Sequence, residues 1–126
     1  MRFALIDNQH VEALPKLHGL CPICSQLVIA KCGDKKVWHW AHRSIASCDS
    51  WWESETEWHR NWKNNYPVDW QETVLFDQQT GEKHIADVQT IHKLVIESQH
   101  SAIKHEERIS REKFYKNMIW VVVAQD

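Results

Sequence analysis

The sequence predicts an α+β fold in which a small metal-binding module precedes a core of strands and helices. Two observations lead to this prediction. A Cys-x2-Cys pair and a His-x2-His pair lie within the first 50 residues, and runs typical of a helix, three strands, a helix and a strand follow them. Helical and strand runs that alternate in this way are typical of mixed folds. We therefore expect a hairpin and metal-binding module over residues 1–50 and the core over residues 51–126.

The composition is that of an ordinary globular protein without a membrane segment. Hydrophobic residues make up 43% of the chain and charged residues 25%, and no apolar run approaches the roughly 18 residues of a membrane span. The N-terminal run MRFALIDNQH turns polar too early for a signal peptide. We therefore expect a cytoplasmic protein, in which cysteines bind metal or pack rather than form disulfides.

The net charge excludes one class of nucleic-acid-binding protein. A formal charge of −2 argues against a protein that coats nucleic acid by charge alone, because phosphate binding usually leaves a basic footprint. Lys and Arg are nevertheless frequent in residues 31–43 and 104–116. Glutamates interrupt the second basic run, so we predict a solvated helix there rather than one that tracks phosphates.

Eight tryptophans are a high number for a chain of 126 residues. Flat rings beside a basic segment can stack on unpaired bases, which suits single-stranded or branched DNA. The alternative is that most of these rings fill the join between the module and the core. We expect one or two exposed rings, at Trp51 and Trp52.

The first half of the chain predicts short strands around polar turns. FALID and HVEAL are typical of the two strands of a hairpin. After the compact CPIC segment, LVIA and KKVWHW predict two further strands, which the turn KCGD would join.

Two helices are predicted in the second half. Residues 53–65 carry no Gly or Pro, and Ser54 with Glu57 would form a capping box at the start of a helix that Pro67 ends. Residues 102–117 form the second helical run.

Four strands are predicted around the second helix. Three strand-like runs lie between the helices: WQETVLFD, EKHIADVQTI and KLVIESQ. The segment QQTGE between the first two is a typical hairpin connection. The apolar run MIWVVVA, after the second helix, predicts a buried closing strand.

The first group of candidate functional residues is Cys21, Cys24, His39 and His42. Two pairs of such ligands, each on a tight turn and separated by a hairpin, fit one tetrahedral zinc ion. Cys48 is close enough in the chain to replace one histidine, so the fourth ligand stays open. Four buried cysteines with surface histidines are the alternative. A site with four protein ligands and no water would hold a structural zinc.

A polar line on the first helix forms the second group. Glu55, His59 and Lys63 are spaced i, i+4 and i+8, so on a helix they would share one face. Taken alone, such a line most often marks a solvated face.

Carboxylates inside the predicted strands change this interpretation. Asp87 and Glu97 each lie within an apolar strand run, where a carboxylate is unfavourable unless it has a partner. Glu97 and Gln99 share one strand face, and a hairpin would bring Asp87 opposite the region of Glu97. With a third carboxylate from the helix, at Glu55, these residues would form a hard oxygen site for Mg²⁺ or Mn²⁺.

The order of these motifs resembles a known family. Asp87, followed nine residues later by Glu97-Ser98-Gln99, is similar to the PD-(D/E)xK nuclease signature. More narrowly, the chain resembles the competence protein CoiA family over about residues 18–124. The motifs that carry this resemblance are CPIC, HWAH, E-T-x-x-H-x-x-x-K at Glu55–Lys63, ADV at Ala86–Val88, IESQHS at Ile96–Ser101 and R-x-x-x-Y at Arg111–Tyr115.

The resemblance implies a fold, a reaction and a set of residue roles. The fold is a restriction-endonuclease-like core, a mixed sheet flanked by helices, with a zinc-ribbon-like or treble-clef-like module before it. The reaction is Mg²⁺- or Mn²⁺-dependent hydrolysis of DNA, as an endo- or exonuclease, and the family is associated with DNA taken up during transformation. The family's metal-binding roles fall on Glu55, Asp87 and Glu97, with the Ser98 carbonyl as a further oxygen.

Gln99 is the main departure from the signature, which has a lysine at this position. Glutamine can orient a water molecule but carries no charge, and some members of the superfamily have Gln here. Lys63 or Lys83 could supply the missing charge from the flank. His59 would hold a carboxylate or contact the phosphate; a surface position is the alternative.

Three functional hypotheses remain open from the sequence. The leading one is a metal-dependent DNA nuclease with a structural zinc module that aids DNA binding. The second is a zinc-dependent nucleic-acid-binding protein whose nuclease fold is inactive, which Gln99 and the net charge favour. The third is a structural zinc protein that acts through partners. We expect DNA as the partner and no membrane association, and a homo-oligomer is compatible with the sequence.

Overall fold

The computed structural model describes residues 1–45, 48–51 and 53–123 of the chain. These residues form an α+β structure with two sheets and two α-helices. The chain divides into two compact units, Met1–Glu57 and Trp58–Asp126. In the described part of the chain, no helix is both long and apolar enough to cross a membrane.

The first unit is built on an antiparallel five-stranded sheet. Its strands lie in the order β2-β1-β3-β4-β5. Their bounds are Phe3–Ile6 for β1, Gln9–Glu12 for β2, His18–Leu20 for β3, Leu27–Lys31 for β4 and His39–His42 for β5.

The hairpin of β1 and β2 follows from its turn residues. Asp7 and Asn8 have φ values of 52° and 63°, the left-handed conformation that a two-residue hairpin turn requires. Asp and Asn tolerate this conformation better than most residues. The predicted N-terminal hairpin is therefore observed, with Phe3 paired to Glu12 and Ile6 to Gln9.

Two strands of this unit differ from the sequence prediction. The three-residue strand β3 was not predicted, because its apolar pattern is too short to give a period. Gly19 lies in its middle, where an added Cβ would come within 3.1 Å of the Ala4 side chain and of the Leu5 carbonyl. Strand β5 begins at His39 rather than at Lys35, so the connection after β4 is longer than a tight turn.

The core of the first unit is small. Its fully enclosed side chains are Ala4, Ala13, Cys21, Val28 and Trp40. Trp40 is the largest of them, and its indole N–H donates to the Val11 carbonyl at 2.9 Å. A core of this size provides little burial of apolar surface, so the unit needs a further source of stability.

The second unit contains both helices and a mixed four-stranded sheet in the order β6-β7-β8-β9. Strands β6, β7 and β8 are antiparallel neighbours, whereas β9 is parallel to β8 and follows it through α2. The bounds are Glu57–Lys63 for α1, Gln71–Phe76 for β6, Lys83–Gln89 for β7, Val95–Gln99 for β8, His105–Tyr115 for α2 and Met118–Val122 for β9.

The hairpin between β6 and β7 is fixed by its own connection. The Asp77 carboxylate accepts hydrogen bonds from the backbone N–H groups of Gln79 and Thr80 at 2.8 and 3.3 Å. Gly81 follows with φ at 78°, a conformation that favours glycine. The predicted hairpin over these residues is therefore present.

Helix α1 is shorter than predicted. It begins at Glu57, so Ser54 and Glu55 precede it in non-helical backbone. The predicted capping box at Ser54 is wrong for this reason. Thr56, a residue type favoured at helix N-caps, directly precedes the first helical residue.

Candidate metal centre and acidic site

The first unit gathers four metal-binding side chains: Cys21, Cys24, His42 and Cys48. Their ligand atoms all lie within 4.8 Å of one another. Cys21 and Cys24 lie on the turn between β3 and β4, which closes through hydrogen bonds from Ser25 N to the Cys21 carbonyl and from Cys21 N to the Gln26 carbonyl. His42 ends β5, and Cys48 follows in the connection after it.

The distances in this cluster fit zinc. The Sγ atoms of Cys21 and Cys48 are 3.6 Å apart, and Cys24 Sγ lies 3.4 Å from His42 Nε2. A tetrahedral zinc with Zn–S bonds of about 2.3 Å and a Zn–N bond of about 2.0 Å separates its ligand atoms by about 3.5–3.8 Å. A Cys3His set with no position left for water is typical of structural zinc. The residues present therefore fit a structural zinc ion.

The identity of the fourth ligand corrects the sequence prediction. His39 is not part of the cluster; its Nδ1 atom lies 2.9 Å from the Val37 carbonyl oxygen instead. The HWAH segment is a strand rather than a turn, and side chains three residues apart on a strand point to opposite faces. Only His42 can therefore face the cysteine pair, and Cys48 takes the remaining position.

Burial sets the protonation of these ligands in the metal-free state. It raises the pKa of the Cys21 thiol, and it raises that of Cys48, where the nearby Cys21 acts in the same direction. It lowers the pKa of His42, with a smaller contribution from the chain's amino terminus. The imidazole is thus in the neutral form that binds metal, whereas the thiols ionise when a cation binds.

None of the four cysteines, all of which lie in the described part of the chain, forms a disulfide. Cys32 lies outside the metal-binding cluster, although it packs against the core of the first unit. This arrangement agrees with cysteines that serve as metal ligands or as small apolar residues.

The assignment of Cys48 gives a direct prediction. Cys48→Ala is expected to lose bound zinc, whereas His39→Ala should keep one zinc ion per chain. The reason is that only the first change removes an atom from the four-ligand set. Elemental analysis after dialysis measures both. Full zinc in the cysteine variant together with loss in the histidine variant would restore the ligand set predicted from the sequence.

In the second unit, Asp87 and Glu97 lie side by side on adjacent strands. Val88 pairs with Ile96 and Gln89 with Val95, and the same register continued by one residue sets Asp87 opposite Glu97. Directly opposite residues of an antiparallel pair share one face of the sheet.

At Asp87 and Glu97, side-chain carboxylates accept hydrogen bonds from backbone N–H groups of the neighbouring strand. Asp87 N donates to Glu97 Oε2 at 2.8 Å, and Ser98 N donates to Asp87 Oδ2 at 2.7 Å. Each carboxylate thus bonds to the backbone of the neighbouring strand. The carboxylate of Glu97 is held in the interior, since the residue is only 3% exposed.

A cation from α2 neutralises Glu97. Arg111 Nη1 lies 3.3 Å from Glu97 Oε1, and Arg111 Nη2 lies 2.9 Å from Glu107 Oε2. Most of α2 is exposed, as expected of a solvated helix, but Arg111 and Tyr115 are buried. Both belong to the R-x-x-x-Y motif.

Gln99 occupies the buried end of β8. Its amide nitrogen donates to the Ser101 carbonyl at 2.9 Å. Its amide oxygen is enclosed and has no hydrogen-bond partner among the described residues. An enclosed acceptor of this kind is unfavourable unless a donor, such as a water molecule, reaches it.

Two members of the predicted polar line, His59 and Lys63, lie on a buried side of α1, which contradicts a solvated face for them. His59 and Lys63 are both enclosed, and Lys63 Nζ forms an ion pair with Glu72 Oε2 at 2.8 Å. The His59 ring lies edge-on to Trp58, with ring centroids 5.1 Å apart, and 6.0 Å from the ring of His100. The surface alternative for His59 is therefore wrong.

Glu72 is a candidate site residue that sequence reasoning missed. It lies in β6, is buried and has a φ of 50°, which is rare for a residue other than glycine. The sequence contains one sign of this residue: Gln71 and Glu72 are adjacent polar residues at the start of a strand that ends in three apolar residues. A strand pattern does not reveal such a backbone conformation.

Glu55 belongs to the first unit and lies outside α1, so the prediction that it opens the helix is wrong. The side chain is buried, and it lines a cavity of about 220 Å³ with Lys35 and Lys36. The expected convergence of Glu55 with Asp87 and Glu97 stays a prediction.

Among the described residues, only the cysteine–histidine cluster brings three or more potential ligands within reach of one metal ion. Asp87 and Glu97 contribute two carboxylates, and a bound divalent cation would need further oxygen ligands.

The tryptophans divide between buried and exposed positions. Trp40 is enclosed, whereas Trp38 is 42% exposed on the basic connection before β5. Trp51 is half-buried, and Trp52 lies outside the described residues. Trp38 is thus an exposed ring in the first unit, beside Lys35 and Lys36 in the sequence.

Comparisons with known proteins bear on the first unit. No curated protein and no solved structure matches the chain. A search of protein-family models does match residues 5–50, and this segment holds all four members of the metal-binding cluster, Cys21, Cys24, His42 and Cys48. Residues 5–50, just over a third of the chain, match the family model of the competence protein CoiA N-terminal domain.

Proposed function

We propose that the protein is a metal-dependent nuclease that hydrolyses DNA phosphodiester bonds. The observation that carries this proposal is that the carboxylates of Asp87 and Glu97, on adjacent strands, each accept a hydrogen bond from a backbone N–H of the other strand. Two carboxylates at a break in a strand ladder are a natural place for a hard divalent cation. The order of helix, three antiparallel strands, helix and parallel strand in the second unit supports a PD-(D/E)xK core.

The chain's own residues would hold Mg²⁺ or Mn²⁺ and orient the reactants. Asp87 and Glu97 supply carboxylate oxygens, and Ser98 and Glu55 are further oxygen ligands implied by the family resemblance. A bound divalent cation polarises the scissile phosphate and lowers the pKa of the attacking water. The enclosed amide oxygen of Gln99 is suited to accept a hydrogen bond from that water. His59 and Lys63 lie on α1 and match the histidine and the lysine of the family motif.

Gln99 is neutral where the signature has a lysine, and Lys63 is a better candidate than Lys83 to supply the positive charge. Lys63 is enclosed, and its ammonium group is held by Glu72 in the second unit. Lys83 is exposed at the far end of β7, with its ammonium group 5.7 Å from the centre of the Phe76 ring. A charge acts most strongly on a reacting phosphate where water is excluded.

The zinc module would stabilise the first unit and aid DNA binding. The Cys3His cluster offers no open coordination position, so its role is structural. The exposed Trp38 and the lysines beside it are suited to unpaired bases and phosphates. The match to the CoiA N-terminal domain supports a role with DNA taken up by competent cells.

The test is incubation of the purified protein with labelled single-stranded, duplex and branched DNA. Reactions with Mg²⁺, with Mn²⁺ and with EDTA separate metal-dependent from metal-independent cleavage, and an Asp87→Asn variant purified in the same way controls for a contaminating nuclease. We expect cleavage of at least one substrate with a divalent cation and none with EDTA. Absence of cleavage from every substrate with both metals would refute the nuclease function.

A second function is favoured by one observation. Gln99 lacks the charge of the common signature, which suits a zinc-dependent nucleic-acid-binding protein with an inactive nuclease fold. Binding of DNA by the intact protein, without cleavage, would identify this function.

Restoring the missing charge gives a sharper test of the core. Gln99→Lys is expected to raise the rate of DNA cleavage by about tenfold and to keep the requirement for Mg²⁺ or Mn²⁺. The physical reason is that an enclosed cation beside the carboxylates would stabilise negative charge on the reacting phosphate. Gln99→Met, which has similar length and no charge, is the matched control. A rate that rises equally in both variants would contradict this role for the charge.

A further inference from the structure

We propose that Glu72 is a positioning residue, which holds Lys63 beside the Asp87–Glu97 pair. This inference rests on the proposed nuclease function and adds a residue to its site. Lys63 then supplies the positive charge that Gln99 lacks. Glu72 acts through Lys63 and does not itself touch the substrate.

Strand register brings Glu72 to the acidic pair. Gln71 pairs with Val88 and Thr73 with Ala86, so the register of the flanking pairs sets the chain position of Glu72 across from that of Asp87. Because Asp87 in turn lies opposite Glu97, three acidic residues form one row across β6, β7 and β8. Directly opposite residues have Cβ atoms about 5 Å apart. The row therefore brings the partner of Lys63 next to the two carboxylates.

Glu72 has an unusual backbone conformation, and its side chain reaches Lys63. Its φ of 50° lies in the left-handed region inside a strand whose register is otherwise regular on both sides. Such conformations persist where surrounding contacts hold them, and they are frequent at functional sites. Here the carboxylate reaches Lys63 Nζ at 2.8 Å.

Lys63 is fixed from its backbone as well as from its side chain. The side-chain amide of Gln71 donates to the carbonyl of Lys63 at 2.8 Å and to that of Tyr66 at 3.1 Å. The end of α1 is thus tied to the residue that precedes Glu72. Neighbouring residues of β6 hold the helix end and the ammonium group together.

Stability alone does not account for the ion pair. Lys63 is 4% exposed and Glu72 is 6% exposed, so both charges have lost nearly all of their water. An enclosed ion pair often stabilises a protein no better than apolar side chains of the same size. Enclosed charges with specific partners are frequent at functional sites.

Two helices then supply one cation each to the acidic row. Arg111 from α2 pairs with Glu97, and Lys63 from α1 pairs with Glu72. Arg111 is shared between Glu97 and Glu107, while Asp87 accepts a hydrogen bond from a backbone N–H of the neighbouring strand. A phosphate at this row would meet Lys63 in a position set by Glu72.

The closing experiment removes both charges together. Lys63→Met with Glu72→Gln keeps the volume of the pair and removes its positive and its negative charge together, so the double variant is expected to fold. With Mn²⁺ and a labelled oligonucleotide, we expect kcat to fall by about 100-fold, with KM changed by less than about threefold. Gln99→Lys should raise kcat in the double variant by clearly more than the roughly tenfold expected in the wild-type background, because the new charge then replaces the one that was lost. A purely structural role of the ion pair predicts the same factor in both backgrounds.

A gentler variant covers the case in which the double variant does not fold. Glu72→Asp keeps the ion pair but draws Lys63 back by about one bond length, and a shift of about 1 Å can reduce a rate by about 100-fold. We expect kcat to fall by at least about tenfold at unchanged zinc content. Wild-type kcat in a folded double variant, or in Glu72→Asp, overturns this inference and leaves the nuclease function standing. A wild-type protein that cleaves nothing refutes both.

Discussion

Replacement of Asp87 by alanine is expected to abolish metal-dependent DNA cleavage and to leave the zinc content of the protein unchanged. A carboxylate that holds the divalent cation contributes both to activation of the water and to charge stabilisation, so its loss removes the reaction. We expect the rate to fall by about 10²–10³-fold or more. Cleavage of labelled DNA in Mn²⁺ and elemental analysis of zinc measure the two outcomes.

The structure supplies a matched variant for this prediction. Asp87 also accepts a hydrogen bond from Ser98 N, so alanine leaves an enclosed donor without its acceptor, at about 1–3 kcal/mol. Asp87→Asn keeps an acceptor oxygen and removes the charge, so it should be as inactive and more stable. The exposed Asp69, changed to Asn, is the control for loss of a carboxylate elsewhere in the unit. Wild-type cleavage by Asp87→Asn would contradict metal binding at this pair.

Loss of the cysteine pair should unfold the first unit. Cys21→Ala with Cys24→Ala is expected to remove the zinc and to expose the sheet of β1 to β5 to rapid hydrogen exchange. Structural zinc contributes about 10–16 kcal/mol of apparent binding energy, which is comparable to the whole stability of a small domain, about 5–15 kcal/mol. Cys21 is also enclosed in the core with Trp40, so its loss weakens packing and ligation together.

Hydrogen exchange and tryptophan fluorescence measure this effect. The exchange of amides in β4 and β5 should become fast, and the emission of Trp40 should shift to longer wavelength as water reaches the ring. Cys32→Ala is the matched control, because Cys32 packs against the same core but lies outside the metal-binding cluster. Retained protection in the double variant would show that zinc contributes little to the fold.

Local signals in the sequence account for most of the elements. The turn residues Asp7 and Asn8 predict the first hairpin, and the connection through Asp77 and Gly81 predicts the hairpin of β6 and β7. These features are local, because turn chemistry and strand alternation act within a few residues. The order of the elements in the second unit follows in the same way. Strand β3 escaped prediction because it is stabilised by its neighbours rather than by its own pattern.

The metal-binding cluster was predictable only in part. The spacing of Cys21 and Cys24 is a local property of one turn, so the sequence is sufficient to identify that half. The other half depends on which face of β5 each histidine occupies and on where the chain returns with Cys48. Both depend on the path of the chain in three dimensions.

The acidic site was also predictable only in part. Strand alternation and the hairpin between β7 and β8 were enough to suggest that Asp87 and Glu97 lie close together. Burial of Lys63, Glu72 and Arg111 could not be inferred, because each meets its partner on another element. A helix face or a strand pattern reports the average environment of an element, whereas an ion pair depends on single contacts. The sequence by itself thus determined most of the elements, the cysteine pair and the acidic strands, and only tertiary packing decided which charges meet inside.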